Sequence, residues 1–388
     1  MTQHIALVTT SYPDGAPGSE AAGGFVKDFA QELSTKARVT VIAAGSLCEQ
    51  ATSGNLTIRR FAAPRLPLSL LSPLRPADWM PILLTLRRGG KALESLVKED
   101  KPDHVFALWA LPSGYWANSI SRKHGIPFSI WALGSDIWSL SKLPVARSIL
   151  RTVLDNADHC YADGYQLGME VEKLSGKTCH FLPSTRRIDT VGPNQLSAEP
   201  PYKLAFLGRW HTNKGVDLLL DSLSRLTDSD WLKVSEIRIF GGGPLADTVK
   251  QGVETLKAKG RPLEIGGYLG KAEASALLCW ADYLLLPSRI ESIPVIFSDA
   301  VKLGTPIVST PVGDLPRLYS TYKFGTIASE ATVSAYCEAI KAALNQTPSD
   351  FLPNLDRARQ DFDLSIITDT FLNRSAGIYT SIDRRHLT

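Results

Sequence analysis

The feature that most constrains this chain is an alternation. Short β-branched runs recur at IALVTT (5–10), VTVIA (39–43), HVFALW (104–109) and PFSIWAL (127–133), with segments of helical period between them. GFVKDFAQELSTK (24–36) is one such segment, its Phe25, Phe29 and Leu33 falling at four-residue spacing. Strand, helix and strand in repetition specify a parallel sheet with helices on both faces. The pattern stops at DTVGPNQLSAEPPY (189–202), a Pro/Gly/polar stretch that reads as a linker. It then restarts with KLAFLG (203–208), EIRIFG (236–241), DYLLLP (282–287) and TPIVST (305–310). A length of 388 residues is long for a single core, so the chain parses into two α/β halves of similar size. The last segment, 362–382, reads as a helix with Ile366, Phe371 and Ile378 among its apolar residues.

Composition excludes several classes. With 44% hydrophobic and 21% charged residues the chain is neither disordered nor fibrous. A net charge of +3, without a basic stripe interleaved with aromatics, argues against nucleic acid as a partner. Cys48, Cys160, Cys179, Cys279 and Cys337 are scattered and odd in number, so no disulfide framework is expected. The seven histidines lack ligand spacing, and no metal is expected. The start MTQHIALVTTSYP lacks the features of a signal peptide, and no run reaches about 18 apolar residues. The expected location is the cytoplasm.

In parallel α/β sheets, ligands bind outside the carboxyl ends of the strands, so chemistry is sought in the loops after residues 10, 133, 208, 241 and 287. In SYPDGAPGSEAAGGF (11–25), Gly23 and Gly24 sit just before a helix, where a backbone can approach an anion; a flexible turn is the alternative. GRWHTNKGVDLLLDSL begins at Gly208 and places Arg209 and Lys214 on a loop leading into a helix near Val216. Two cations and a helix N-terminus can cradle a diphosphate, or the cations are simply solvated. Gly241, Gly242 and Gly243 permit a tight turn but do not form GxGxxG. In PSRIESIPVIFSDAVKLGTPIVST (287–310), Glu291 lies in a loop and Asp299 on a helix that Pro294 opens and Gly304 ends. Such carboxylates need donors, which sugar hydroxyls supply, while the amides of Ser292, Ile293 and Val295 would face an anion. Alternatively Glu291 caps the helix and Asp299 bonds a neighbouring backbone group.

Taken in order, LGRWHTNKG, FGGGPL, YLGKAEASALLCWADYLLLPSRIES, a carboxylate, seven residues, a second carboxylate and LGTPIVSTPVG resemble the donor half of family 4 glycosyltransferases, also called glycosyl transferases group 1. The first half carries the resemblance on SYP…GG, GIPFSIWALGSDI and ADHCYADG. It implies the GT-B fold: two Rossmann-like doubly wound domains facing across a cleft. The domains would be 1–192 for the acceptor and 193–360 for the nucleotide sugar, with 361–388 as a helix crossing back to the first. It also implies a retaining, metal-independent hexosyltransferase-type enzyme that moves a sugar from a UDP- or GDP-linked donor to a glycan or lipid-linked acceptor. The nucleotide sugar is a substrate, and no cofactor is implied. By resemblance, Arg209 and Lys214 bind the donor phosphates, Glu291 grips the donor sugar and Asp299 holds the ribose. Gly24 admits the diphosphate, and Tyr268 and Leu269 lie near the base. Ser135 and Asp136 are acceptor-side candidates. This chain departs from the pattern in Asp299, where Glu is usual, in ESIP for the commoner EGFG, and in Leu133 at the place of a usual histidine.

Residues 58–91 hold seven Lys or Arg against one acid, Asp78. Two readings fit: a basic apolar patch that docks on an anionic membrane or a lipid-linked acceptor, leaving the protein peripheral on the inner face, or a proline-broken helical hairpin packed on its own domain. Two other functions stay open. A nucleotide-sugar 2-epimerase would need extra acid/base carboxylates, and Leu133 alone suggests a binding protein without catalysis.

Overall fold

The computed structural model describes residues 2–14, 19–66, 68, 71–188 and 194–377. The chain divides into two units, Met1–Ser184 with Leu364–Thr388, and Thr185–Asp363. In chain order the first unit holds β1 (His4–Thr9), α1 (Ser19–Ser34), β2 (Arg38–Gly45), β3 (Glu49–Ser53), β4 (Leu56–Ala62), α2 (Pro76–Glu99) and β5 (His104–Leu108). It continues with α3 (Ser113–His124), β6 (Phe128–Ala132), α4 (Ser135–Trp138), α5 (Pro144–Asn156), β7 (His159–Ala162), α6 (Tyr165–Ser175) and β8 (Cys179–Phe181). The second unit holds β9 (Tyr202–Arg209), α7 (Val216–Ser224), α8 (Asp228–Trp231), β10 (Val234–Gly242), α9 (Ala246–Ala258), β11 (Leu263–Gly266) and α10 (Lys271–Trp280). After these come β12 (Tyr283–Leu286), α11 (Val295–Leu303), β13 (Ile307–Ser309), α12 (Leu315–Tyr322), β14 (Gly325–Ile327), α13 (Val333–Leu344) and α14 (Leu352–Asp361). The last helix, α15 (Leu364–Ser375), packs in the first unit.

The first sheet runs β3-β4-β2-β1-β5-β6-β7-β8, and only the β3/β4 pairing is antiparallel among the described strands. All six residues of β1 are buried, as befits a central parallel strand covered on both faces. Its side chains alternate: Ile5 and Leu7 enter one core with α1 and α15, Ala6 and Val8 another with α2, α3, α5 and α6. Phe29 of α1 and Phe371 of α15 meet Phe106 of β5, the last pair stacked at 4.1 Å. Each such ring contributes about 2–3 kcal/mol on burial. Lys36 fixes the register of α15 through Asp369 (2.8 Å) and the Ser365 carbonyl (2.9 Å).

The second sheet runs β11-β10-β9-β12-β13-β14, all parallel. The chain therefore winds outward from β9 through β10 and β11, then resumes at β12 on the other side of β9. Leu204 and Phe206 of β9 face a core with α7, α9 and α13, while Ala205 faces α10.

Two local expectations change. Gly23 and Gly24 do not precede the first helix but lie inside α1, which begins at Ser19. A Cβ at Gly23 would sit 3.0 Å from Pro13 Cδ and 3.1 Å from Tyr12 Cα, so the residue lets α1 press against the loop after β1. The described residues of 58–91 do not form a helical hairpin either. They span the end of β4 and the start of a single helix, α2, with Pro76 in its first turn and Pro81 inside. Pro81 removes one bond, to the carbonyl of exposed Ala77 in the first turn, and the helix continues through it. Residues 189–193 of the expected linker, and Ile378 with the end of the expected last helix, lie outside the described residues.

Candidate functional site

The strand order reverses between β9 and β12, and the loops leaving the carboxyl ends of these two neighbours meet. Arg209 ends β9 and is exposed, with no carboxylate partner among the described residues. Trp210 turns into the core, and a single 3-10 turn, Thr212–Lys214, leads to Gly215 at φ 69° and then α7. A Cβ on Gly215 would lie 1.9 Å from the Pro287 carbonyl oxygen, so only glycine satisfies both this backbone and its contact with the end of β12.

That contact brings Lys214 to Glu291. The Lys214 ammonium donates to the Glu291 carboxylate, which also accepts the Ser288 hydroxyl at 3.2 Å. The side chains are 28% and 12% exposed, so the pair is largely withdrawn from water yet reachable. Arg289 bolts the two loops together. Its guanidinium makes two 2.8 Å bonds to Asp217 and one to the Thr212 carbonyl, while its amide donates to Asn213 O at 2.8 Å. Burial alone would raise the Asp217 carboxyl, but Arg289 and the first amides of α7 hold it below its usual value.

α11 starts beside this pair. Its cap is Pro294, in extended conformation, with no side-chain capping bond, so the first-turn amides, including Val295 N–H, carry the positive end of the helix dipole. Glu291 thus pairs with Lys214 rather than capping the helix. Ser292 and Ile293 are buried, and the Ser292 hydroxyl has no partner among the described residues. Asp314 N–H donates to Ser292 O at 3.2 Å and holds the loop in place.

Asp299, on α11, is 3% exposed and among the described residues bonds no backbone group; Arg186 takes its Oδ2, while Oδ1 is buried with no partner among them. Lys302, on the same helix, reaches the Arg186 carbonyl (2.6 Å) and the Thr185 hydroxyl (2.5 Å), fixing this segment on α11. A pocket beside Asp299 is lined by Arg186, Arg187, Ile188, Lys271, Ala274 and Ser275. On the far side of β9, the Tyr268 hydroxyl donates to Gly242 O at 2.8 Å and its ring lies over that glycine, where a Cβ would be 2.7 Å away. Leu269 packs partly buried against the α10 side of the sheet, and Gly208 is half-buried at the end of β9.

The remaining candidates lie in the first unit. Ser135 is exposed at the start of α4. Asp136 is buried: Oδ2 accepts Ala110 N–H at 2.6 Å and Oδ1 accepts Leu133 N–H at 3.2 Å. It ties the loop after β5 to the loop after β6. Burial pushes its carboxyl up to about 6, against the amide bonds that favour the anion. Leu133 packs against the core shared by α1 and α15.

Arg289, Asp217, Ser288 and Arg186 were not legible as site residues. Arg289 and Asp217 are 72 positions apart, and Arg186 and Asp299 are 113 apart; no local spacing announces either pair. Among the described residues, no group of three or more His, Cys, Asp or Glu could hold a metal ion.

Residues 201–346, which contain Arg209, Lys214, Glu291 and Asp299, match the family model Glycosyl transferases group 1. Those residues carry the likeness to that family. A curated relative, "Putative teichuronic acid biosynthesis glycosyltransferase TuaC" of Bacillus subtilis, is 26% identical over 250 residues, 62% of this chain and 60% of the relative. The chain thus spans about three fifths of that relative's length. Among solved structures, sucrose-phosphate synthase of Thermosynechococcus elongatus superposes with a TM-score of 0.74 at 16% identity, covering 97% of this chain and 98% of that one. HepE of Anabaena, solved in complex with UDP and glucose, gives 0.69 at 14%, covering 97% and 100%. At such identity the likeness speaks to fold, and the fold is GT-B.

Proposed function

We propose that this group 1 glycosyltransferase moves a sugar, with retention, from a nucleotide-diphosphate sugar to a glycan or lipid-linked acceptor in cell-surface polysaccharide synthesis. The observation that carries the reading is the meeting of Lys214, Glu291 and the uncapped N-terminus of α11 at the strand-order reversal. Negative charge develops on the diphosphate as it departs. Arg209, Lys214 and the first-turn amides of α11, with Val295 among them, are fixed donors for that charge, and they act without a metal. Glu291 holds the Lys214 ammonium and offers its other oxygen to a sugar hydroxyl. Asp299 Oδ1, buried with no partner among the described residues, suits a ribose hydroxyl, while Oδ2 is held by Arg186. Gly242 and Tyr268 form the wall toward the base. Reaction on one face of the sugar, with the leaving phosphate taking the acceptor proton, requires no protein nucleophile. The UDP and glucose bound by HepE, and the teichuronic acid in the name of TuaC, support the donor class and the polymer setting.

Incubation with UDP-, GDP- and ADP-sugars, followed by measurement of released nucleoside diphosphate and of the product anomer, tests the reading. Slow release of one nucleoside diphosphate with the α or β configuration kept is expected. A 2-epimerised sugar product would assign the isomerase instead. Nucleotide sugar that binds but is never cleaved, even with acceptor extracts, would assign a binding protein.

A further inference from the structure

The seven cations of residues 58–91 are sorted by the structure into two groups. Arg59 pairs with Glu99 at 2.7 Å, Arg60 with Glu49 at 2.8 Å and Arg65 with buried Asp78 at 3.1 Å. Arg75, Arg87, Arg88 and Lys91 are exposed, and none has a carboxylate partner among the described residues. Beside them the chain exposes apolar bulk: Leu74 at 75%, Trp79 and Met80 at 61%, and Leu83 at 59%. Of thirteen large hydrophobic side chains exposed among the described residues, these four fall within ten positions, so the clustering is local.

Helix geometry puts both kinds of residue on one face. At about 100° per residue, Leu83, Arg87, Met80 and Lys91 lie roughly 40°, 80°, 100° and 120° from Trp79. Over the same turns the buried residues Asp78, Thr85 and Gly89 lie about 80° to 120° from Trp79 in the other sense, where Trp116 of α3 packs against Gly89; further along, Leu93, Leu96 and Val97 are buried too. The Trp79 indole donates to Pro73 O at 2.8 Å, which holds the ring at the surface. α2 therefore packs one apolar face on its own unit and turns a second, apolar and cationic, outward.

We propose that this face of α2 docks on an anionic lipid bilayer. Apolar side chains that include a tryptophan suit the headgroup boundary, and the cations above them match anionic headgroups. A second copy of the chain is a poor occupant, because a two-fold contact would oppose the cations to themselves. No described helix is long and apolar enough to cross a membrane, so the contact is peripheral. The surface lies in the first unit, apart from the donor loops, and its test needs no turnover.

Co-sedimentation with vesicles of phosphatidylcholine alone, and with phosphatidylglycerol added, reads the proposal directly. Binding to the anionic vesicles only, weakened by 0.5 M salt, is expected. Arg87→Glu/Lys91→Glu should weaken it by at least about 25-fold, at roughly fivefold for each cation lost, and Trp79→Ser/Leu83→Ser should abolish it. All four positions are exposed, and unchanged melting temperatures exclude misfolding. Wild-type protein that stays in the supernatant with both vesicles, or variants that bind as the wild type does, overturn the proposal. A dimer that Trp79→Ser/Leu83→Ser converts to monomer, without vesicle binding, would assign the face to a second copy.

Discussion

Lys214→Ala is the most informative single perturbation. Lys214 is 28% and Glu291 12% exposed, so their attraction acts in a medium of effective dielectric about 20, worth roughly 4 kcal/mol before desolvation. Most of that offsets the cost of withdrawing two charges from water, so the pair is a positioning device more than a source of stability. On the proposed mechanism the balance shifts in the transition state, because a leaving diphosphate would gain charge beside the same ammonium. Losing one such preorganised donor costs about 2.7–4 kcal/mol, which slows turnover by roughly two to three orders of magnitude. Steady-state release of nucleoside diphosphate measures it, and KM should move much less than kcat. Glu291→Gln keeps the shape and removes the charge that positions the ammonium. If the two act as a unit, the double variant loses little more than Lys214→Ala alone. Near-normal turnover in Lys214→Ala refutes the assignment, and fully additive losses refute the coupling.

Three further outcomes follow from the same geometry. Gly215→Ala drives a Cβ into the Pro287 carbonyl at a left-handed φ, so it should cost about 3 kcal/mol and lower Tm by roughly 6–12 °C; an unchanged melt contradicts the contact. Arg289→Ala releases both loops and should lower kcat and raise KM by about tenfold each, and Arg289→Lys should restore little because the bond to Asp217 is bidentate; full activity in the lysine variant would count against this role. Burial lowers the His104 pKa from 6.5 to about 4, where its ring faces Ser129 at 2.9 Å. The unfolded chain then binds the proton first as pH falls, so stability present above pH 6.5 is lost toward pH 4, by up to about 3 kcal/mol. His104→Asn should flatten urea-denaturation midpoints over that range, and an equally steep loss in the variant would remove His104 as the cause.

The alternation of buried strands and amphipathic helices was readable because parallel strands covered on both faces carry continuous apolar runs, such as Ile5–Val8 in β1 and Val41–Ala44 in β2. The start of α7 at Val216 and the end of α11 at Gly304 were also readable, since glycine marks both. The β3/β4 hairpin was not: every residue of β3 is exposed, so no burial pattern shaped its sequence. Gly23 misled for the opposite reason. Its smallness serves packing against Pro13 within α1, not a helix start. At the site, the loop carboxylate and the two cations stood out by local context. Their pairing did not: Asp299 meets Arg186 across 113 positions, on a segment that Lys302 holds to α11, and Lys214 meets Glu291 across 77 through strand order. The reversal at β9/β12 is what joins them, and it is a property of the sheet rather than of either segment.

The central claim is a diphosphate cradle made by Arg209, Lys214 and the N-terminus of α11. Calorimetric titration of UDP, GDP and ADP into the wild type, Arg209→Ala and Lys214→Ala, each with EDTA and with Mg²⁺, tests it most directly. At least one nucleotide should bind, EDTA should leave its affinity unchanged, and each substitution should weaken it at least about tenfold. Failure of all three nucleotides to bind, or affinities unaltered in both variants, would contradict it.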